Sequence, residues 1–260
     1  MAVESRPRSR LRLQLAASRS ESPLGLLWAA TREDTKAPAK TALTRLGSIC
    51  SPGVVYNLNG AFNYLYVGWW MRAHGFQPRV RVGTRQEVLR WLAGQVADDD
   101  VLYMEFGVAA GASMRLWSEL LRDPRSALHG FDSFLGLPHD WTLEGHERGS
   151  FSTDGREPRI DDERVQFFAG WFDETLPAYE WSEHERLVVV MDADLYTSTS
   201  TALHHVKDHL DVGSYLYFDQ FHHRGDELRA FSEFLDETPF AFEVAAATNE
   251  LTSVAFRRVA

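Results

Sequence analysis

The 260-residue sequence is poor in cysteine and in long apolar runs, and both absences limit what the protein can be. Its single cysteine, Cys50, cannot form a disulfide within the chain and cannot supply a cysteine-pair zinc site. No run approaches the roughly 18 consecutive apolar residues that a membrane span requires, and no signal-peptide pattern stands near the start. We therefore expect a soluble protein of the reducing cytoplasm, with no membrane partner.

Positive charge is also in deficit, with 27 Lys and Arg against 37 Asp and Glu and a net charge of -10. Such a field repels a phosphate backbone, so we expect no nucleic-acid partner. The first 20 residues are the exception, with five arginines and one acid, Glu4. We interpret residues 1–23 as a flexible, solvated basic tail. The alternative is an arm that contacts a second copy of the chain in a homodimer.

Residues 24–83 lack the regular alternation found later in the chain. The short apolar segments 24–32 and 41–49 predict helices outside the main core, and a polar, proline-containing stretch separates them. Residues 52–76 are rich in aromatic and amide side chains, which is typical either of a substrate cleft or of a bulky buried helix. We assign this part to an N-terminal helical region.

From residue 84 onward, short apolar runs alternate with segments of helical periodicity, which predicts one domain over 84–260. The alternation predicts an α/β, Rossmann-like fold with a seven-stranded, mostly parallel sheet and helices on both faces. The last two strands are close enough to form a hairpin. The predicted strands lie in VLYMEFG, SALHGFDSF, RVQFFAG, RLVVVMDAD, SYLYFDQ, FEVAAAT and TSVAFRRV.

A glycine-rich turn follows the first of these strands. Gly107 and Gly111 let backbone N–H groups approach a ligand, and Ser113 can cap the helix or contact a carboxylate. Their G-x-x-x-G spacing is not the dinucleotide fingerprint, and Glu105 would repel a pyrophosphate but attract an ammonium group. Asp132, after the next strand, can accept hydrogen bonds from a ribose. These features favour S-adenosylmethionine and leave a nicotinamide cofactor as the weaker alternative.

Five stretches, EFGVAAGAS, GFDSFLGLP, FFAGWFDETLP, MDADLYTST and YFDQF, occur in this order. The sequence over 84–258 is similar to the macrocin O-methyltransferase family of class I methyltransferases, which act mostly on natural-product sugars. The resemblance implies that S-adenosylmethionine is held by its methionine part at the glycine turn, by its ribose at the second strand and by its adenine after the third. The residues it implies are Glu105, Gly107, Gly111 and Ser113, then Asp132 and Ser133, then Gly170 and Trp171.

The resemblance also implies a magnesium ion, on Asp192 and Asp219, that positions a sugar diol. The family usually has two consecutive acids after the fifth strand, whereas here Asp219 is followed by Gln220. An amide oxygen can ligate Mg²⁺, but it lacks the charge that offsets dehydration of a hard cation. Mg²⁺ on Asp192, Asp219 and Gln220 and a metal-free reaction therefore both remain open.

Asp192 and Asp194 are two residues apart and would project from the same face of a continued strand. Either a raised pKa or a bound cation at such a pair serves the deprotonation of an alcohol. We choose Asp194 as the general base, where the family places one, and His222 as the rival base if no metal is bound. The simpler alternatives are that one of these acids caps the following helix and that His222 is a solvated loop residue.

We expect an acceptor between Asp194, Asp219 and the segment that contains Tyr56 and Asn63. The predicted function is O-methylation of a small-molecule hydroxyl, on a sugar or glycoside of natural-product biosynthesis. One alternative is a metal-independent methyltransferase with a non-sugar acceptor. Another is a catalytically silent methyltransferase-like binding module.

Overall fold

A computed structural model describes residues 37–142 and 144–260, and the predicted tail and the predicted helix over 24–32 lie outside these ranges. The described residues divide into two units, with the boundary between residues 55 and 56. The helices are α1 (Ala37–Gly47), α2 (Pro52–Ala73), α3 (Arg85–Val96), α4 (Ala112–Leu120), α5 (Phe172–Thr175), α6 (Tyr196–Val206) and α7 (Glu227–Glu237). The strands are β1 (Val80–Val82), β2 (Val101–Phe106), β3 (Ala127–Asp132), β4 (Val165–Ala169), β5 (Arg186–Met191), β6 (Tyr215–Phe218), β7 (Phe242–Thr248) and β8 (Val254–Arg258).

The first unit contains α1 and the start of α2. Helix α1 overlaps the predicted segment 41–49 but begins four residues earlier and ends two residues earlier. Pro38 lies in its first turn, where a missing N–H costs nothing. None of its residues is buried. Among the described helices of the whole chain, none is long and apolar enough to cross a membrane.

All seven predicted strands are present in one sheet, in the order β1-β7-β8-β6-β5-β2-β3-β4. β8 runs antiparallel to both of its neighbours and forms the predicted hairpin with β7, while the other pairs are parallel. The sheet has an eighth strand, β1, which the sequence did not predict. Its three residues are too few for a period-two pattern, and its partners on β7, Ala246 to Thr248, are distant in sequence.

Both faces of the sheet are covered, which makes the central strands fully buried. On one face α2, α6 and α7 pack against the phenylalanines of β2, β3 and β6. On the other face α3 and α4 pack against Tyr103, Val188 and Tyr217. Two covered faces explain why the central strands read as continuous apolar runs and not as alternating ones.

From its sequence, segment 52–76 is typical either of a substrate cleft or of a buried helix. Helix α2, which forms there, is buried on one side only. Trp70 is 2% exposed, and its ring lies 5.5 Å from that of Phe221 and 6.3 Å from that of Phe231. Its indole N–H donates to the hydroxyl of Ser232 at 3.3 Å. The neighbouring Trp69 is 60% exposed. The helix is therefore attached to the core through Trp70.

The two adjacent tryptophans make a matched test of this attachment. We expect Trp70→Ala to lower the free energy of unfolding by about 3–5 kcal/mol, because it empties a large buried site. Trp69→Ala removes the same side chain from the exposed side and should cost less than about 1 kcal/mol. Urea unfolding followed by circular dichroism measures both values. Equal losses for the two variants would contradict the assigned attachment.

Candidate active site

Backbone hydrogen bonds that continue past the strands keep the carboxyl ends of the parallel strands aligned with one another. Four residues that follow strand ends each donate their N–H to a carbonyl at the end of the neighbouring strand, at 2.9–3.0 Å. Open α/β sheets bind ligands at this edge. The four residues are Gly107, Gly170, Asp192 and Asp219.

The turn after β2 requires both of its glycines. Gly107 has a φ of +91°, and a Cβ there would lie 1.9 Å from the carbonyl oxygen of Asp192. Gly111 has a φ of +75° at the start of α4, and a Cβ there would lie 2.7 Å from the ring of Pro158. Both glycines are therefore required by the close packing of the turn, whether or not a ligand is bound.

Asp132 fastens this turn to the end of β3. Its Oδ2 accepts the backbone N–H groups of Val108 and Ala109, each at 2.8 Å, and its Oδ1 accepts that of Phe134 at 2.7 Å. Ser133 closes the next turn by accepting the N–H of Leu135 at 3.1 Å. The predicted ribose contact of Asp132 is untested, and its three backbone bonds give it a structural role that the sequence did not indicate.

A cavity of about 760 Å³ opens at this edge of the sheet. A volume of this size accommodates a drug-sized ligand. Its wall includes most of the residues chosen from the sequence. These are Gly107, Asp132, Ser133, Gly170, Trp171, Asp192, Asp194, Asp219 and Gln220.

Glu105 lies beneath the cavity and not on its wall. It is 1% exposed, and its Oε2 accepts the hydroxyl of Tyr103 at 2.9 Å. Burial raises its pKa to about 8, so it carries a proton at neutral pH. The predicted contact with an ammonium group remains a prediction, and in this arrangement Glu105 has neither the exposure nor the charge for it.

Asp194 is held on the cavity wall in an unusual backbone conformation. Its φ of +60° lies in the left-handed region, which costs free energy for a residue with a side chain. Its Oδ1 accepts the side-chain amide N–H of Gln220 at 3.0 Å. Burial, together with the nearby charges of Asp219 and Asp226, raises its pKa to about 7. A carboxyl group with this pKa can accept a proton at neutral pH.

The predicted cap on the following helix is not supplied by Asp192 or Asp194. Helix α6 has Leu195 as its N-cap, with no side-chain cap bond. The N–H of Tyr196 instead donates to Oδ1 of Asp226 at 3.3 Å. Both of the earlier acids are therefore available to the cavity.

Arg85, which the sequence did not single out, joins Asp192 to Asp219. Its Nη2 lies 2.6 Å from Oδ2 of Asp192, and its Nε lies 2.9 Å from Oδ1 of Asp219. Nη2 also donates to the hydroxyl of Ser113 at 2.8 Å. Burial and the charge of Asp219 raise the pKa of Asp192, and the Arg85 charge opposes that rise.

The predicted magnesium ligands do not fit a magnesium ion in this arrangement. Asp192 and Asp219 are already paired with Arg85, and Gln220 directs an amide N–H, which cannot ligate a cation, toward Asp194. Over 37–142 and 144–260, no three His, Cys, Asp or Glu side chains are grouped to hold a metal ion. In this arrangement the cation beside Asp192 and Asp219 is the side chain of Arg85.

The structure does not bring the rival base or the predicted acceptor residues to the cavity wall. His222 is buried and stacked on Tyr64, with 4.8 Å between ring centroids, and burial lowers its pKa to about 4. Asn63 is buried on α2, and Tyr56 lies near Gly145. A wall of α6 and of the segment after β3 stands there instead, with Thr197, Ser198, Thr201, Arg148, Ser150 and Phe151.

Glu227 is a second residue that the sequence reading missed. It is fully buried at the start of α7, and its Oε2 accepts the backbone N–H of Gln220 at 2.9 Å. Burial and the charge of Asp219 raise its pKa well above its ordinary value. No local signal marks it, because an acid in a helix's first turn is ordinarily an exposed residue.

The open sheet with helices on both faces and the cavity at its carboxyl edge define a Rossmann-like α/β fold. Residues 79–258 match the family Macrocin-O-methyltransferase (TylF), and the chain belongs to this family. The resemblance over 84–258 is thus confirmed, and the match begins five residues earlier.

Two curated proteins and two solved structures are similar to the chain. It is 30% identical over 138 residues to the 8-demethyl-8-(2,3-dimethoxy-alpha-L-rhamnosyl)-tetracenomycin-C 4'-O-methyltransferase of Streptomyces olivaceus, over 45% of this chain and 52% of that protein. It is 29% identical to the demethyldecarbamoylnovobiocin O-methyltransferase of Streptomyces niveus, over 59% of this chain and 64% of that protein. The chain therefore spans less than two thirds of the length of either relative.

Among solved structures, the O-methyltransferase NovP is 27% identical, with a TM-score of 0.55 over 68% of this chain and 80% of that chain. The calicheamicin methyltransferase CalS11 is 22% identical, with a TM-score of 0.52 over 65% of this chain and 77% of that chain. The second likeness supports the fold alone.

The contact between Gly107 and Asp192 generates a prediction. We expect Gly107→Ala to lower the melting temperature by several degrees, because the new Cβ must displace backbone and adopt a positive φ. Gly94→Ala, in α3 with no heavy atom within 4 Å of the new Cβ, is the control. It should stabilise by about 0.5–1 kcal/mol through helix propensity. Differential scanning fluorimetry compares them, and a neutral Gly107→Ala would contradict the close approach.

Proposed function

We propose that the chain is an S-adenosylmethionine-dependent O-methyltransferase that methylates a hydroxyl group of a sugar or glycoside. The observation that carries this proposal is the position of Asp194. It stands on the wall of the same cavity as the glycine turn, with a pKa of about 7. Membership of the macrocin O-methyltransferase family supports the reaction class.

The residues of the cofactor half fit S-adenosylmethionine. Gly107 and Ala109 present backbone to the cavity, the Asp132 carboxylate and Ser133 hydroxyl lie beside them, and Trp171 offers an aromatic face. Asp132 has two oxygens with about four acceptor positions, of which three are used by backbone N–H groups. One position is left for a ribose hydroxyl.

In this proposal Asp194 accepts the proton of the acceptor hydroxyl. When bound, S-adenosylmethionine supplies a methyl group attached to a positively charged sulfur. The Gln220 amide fixes the orientation of the Asp194 carboxyl, so that its other oxygen is available to the acceptor. Much of the rate enhancement is expected from holding the acceptor oxygen in line with the methyl group.

The acceptor half of the cavity is suited to a hydroxylated ring. Its wall combines hydroxyl groups of α6, from Thr197, Ser198 and Thr201, with the aromatic side chain of Phe151. Hydroxyl groups on this wall can hydrogen-bond to the hydroxyls of a sugar, and the aromatic side chain can pack against the apolar face of its ring. The name of the tetracenomycin relative describes a substrate with a rhamnosyl group. Mg²⁺ takes no part in this proposal, because two of its three predicted ligands, Asp192 and Asp219, are paired with Arg85.

Cofactor binding is the first test. We expect S-adenosylhomocysteine to bind in a calorimetric titration and NAD to give no heat. Asp132→Ala should weaken binding by at least about tenfold, since it releases three charge-assisted bonds and a ribose partner. Asp236→Asn, on the exposed side of α7, is the control and should bind normally. Binding of NAD in place of S-adenosylhomocysteine would refute the cofactor assignment.

The pH dependence of turnover tests Asp194. With demethyldecarbamoylnovobiocin and rhamnosyl tetracenomycin as trial acceptors, we expect kcat/KM to rise about tenfold per pH unit below pH 7 and to level above it. Asp194→Asn should abolish turnover and leave S-adenosylhomocysteine affinity intact. Asp236→Asn should keep both. Full activity of Asp194→Asn, or a flat pH profile, would remove Asp194 from the base role.

The same pKa has a consequence for stability. Because the folded-state pKa of Asp194 is raised from 3.8 to about 7, its contribution to stability is present below pH 3.8 and lost as the pH rises through 7. At pH 8 Asp194→Asn should therefore be more stable than wild type by about 1–3 kcal/mol, with a smaller gain at pH 5. Thermal melts at the two pH values measure the difference, and a larger gain at pH 5 would contradict it.

A further inference from the structure

Arg85 lies at a place where three carboxylates would otherwise repel one another. Asp192, Asp194 and Asp219 share the cavity wall, and the two basic residues on that wall among the described residues are Arg85 and Arg148. Closely spaced carboxylates can all ionise only if a cation lies among them. In this structure Arg85 contacts two of the three.

The contacts of Arg85 are charge-assisted and specific. Its guanidinium has five N–H donors, and three of them are used by Asp192, Asp219 and Ser113. The side chains of Asp192 and Asp219 are 21% and 10% exposed, so water screens their charges little. The hydroxyl of Tyr217 also donates to Oδ1 of Asp219, at 2.6 Å. Asp219 is thus held by two donors on the same oxygen.

The start of α3 fixes the position of Arg85. Thr84 is the N-cap, and its hydroxyl accepts the N–H of Glu87, while the Glu87 carboxylate accepts the N–H groups of Thr84 and Gly83. This capping box fixes the first turn of α3, from which Arg85 extends to Asp192, Asp219 and Ser113. The position of Arg85 at the site is therefore fixed by the local structure at the start of α3.

We propose that Arg85 replaces a divalent cation between Asp192 and Asp219, so that this enzyme orients its acidic residues and transfers the methyl group without a metal. The guanidinium offsets one of the pair's two negative charges and contacts both carboxylates. The amide at Gln220, in place of a second acid, fits this arrangement, because one positive charge then faces fewer negative ones. Arg85 acts through the two carboxylates and is a positioning residue. The inference rests on the proposed function only for its activity readout.

Metal binding gives a readout that is independent of catalysis. We expect Mn²⁺, followed by electron paramagnetic resonance of the full-length protein, to bind wild type only weakly. Arg85→Ala leaves two uncompensated carboxylates and should bind Mn²⁺ at least about tenfold more tightly. Adding Asp192→Asn and Asp219→Asn to Arg85→Ala should abolish the gain. Arg148→Ala removes a charge from the same wall without freeing this pair, and it should show no gain.

The activity readout uses the trial acceptors named above. Wild-type turnover should change less than about twofold on adding EDTA or Mg²⁺, whereas Arg85→Ala should lose at least about tenfold in kcat and recover part of it with Mg²⁺. Arg85→Lys retains the charge with fewer donors, so it should keep intermediate activity and remain insensitive to Mg²⁺. If wild type transfers no methyl group to any acceptor, the proposed function fails while the Mn²⁺ result still stands.

Two outcomes would overturn the inference. One is tight Mn²⁺ binding by wild type that disappears with Asp192→Asn and Asp219→Asn, because a metal would then displace Arg85. The other is loss of wild-type turnover in EDTA that Mg²⁺ restores. Both are seen first in wild type and neither uses Arg85→Ala, so neither depends on whether that variant folds.

Discussion

The alignment of parallel strand ends is the constraint on which the site depends. Hydrogen bonds from the residues that follow β2, β4, β5 and β6 keep these strand ends aligned, and the same register that packs the core brings several acids together. Such crowding is unfavourable unless charge is compensated or protons are retained. Both devices occur here, because Arg85 pairs with two carboxylates while Glu105 and Glu227 have raised pKa values through burial.

The site also shows how a few side chains combine structural and chemical roles. Asp132 fastens the turn after β2 through two backbone N–H groups and still lies on the cavity wall. Gln220 orients Asp194, and buried Glu227 in turn fixes the backbone of Gln220. The geometry of the cavity wall is therefore supported from α7 as well as from the strands. A substitution in α7 can therefore disturb the site without contacting a ligand.

Sequence reading chose residues that mostly lie on the cavity wall, because they stand at or just after strand ends. Gly107, Asp192 and Asp219 directly follow strands, Asp132 ends β3 and Asp194 lies three residues beyond β5, and the parallel fold brings such positions together. It failed where side-chain direction mattered. His222 also follows a strand, yet its ring turns toward Tyr64 on α2 and away from the cavity wall. Period and spacing place a residue at an edge but do not say which of its neighbours it contacts.

The sequence by itself determined the fold class, seven strands of the sheet, the glycine turn and the family, because each depends on local periodicity or on contiguous motifs. Tertiary structure alone decided that β1 joins β7 and that Arg85 lies between Asp192 and Asp219. The first pairing links residues as distant as Val80 and Ala246, and the second spans 107 residues from Arg85 to Asp192. Contacts at such separations arise from the packing of α3 against the sheet, and no local pattern encodes them.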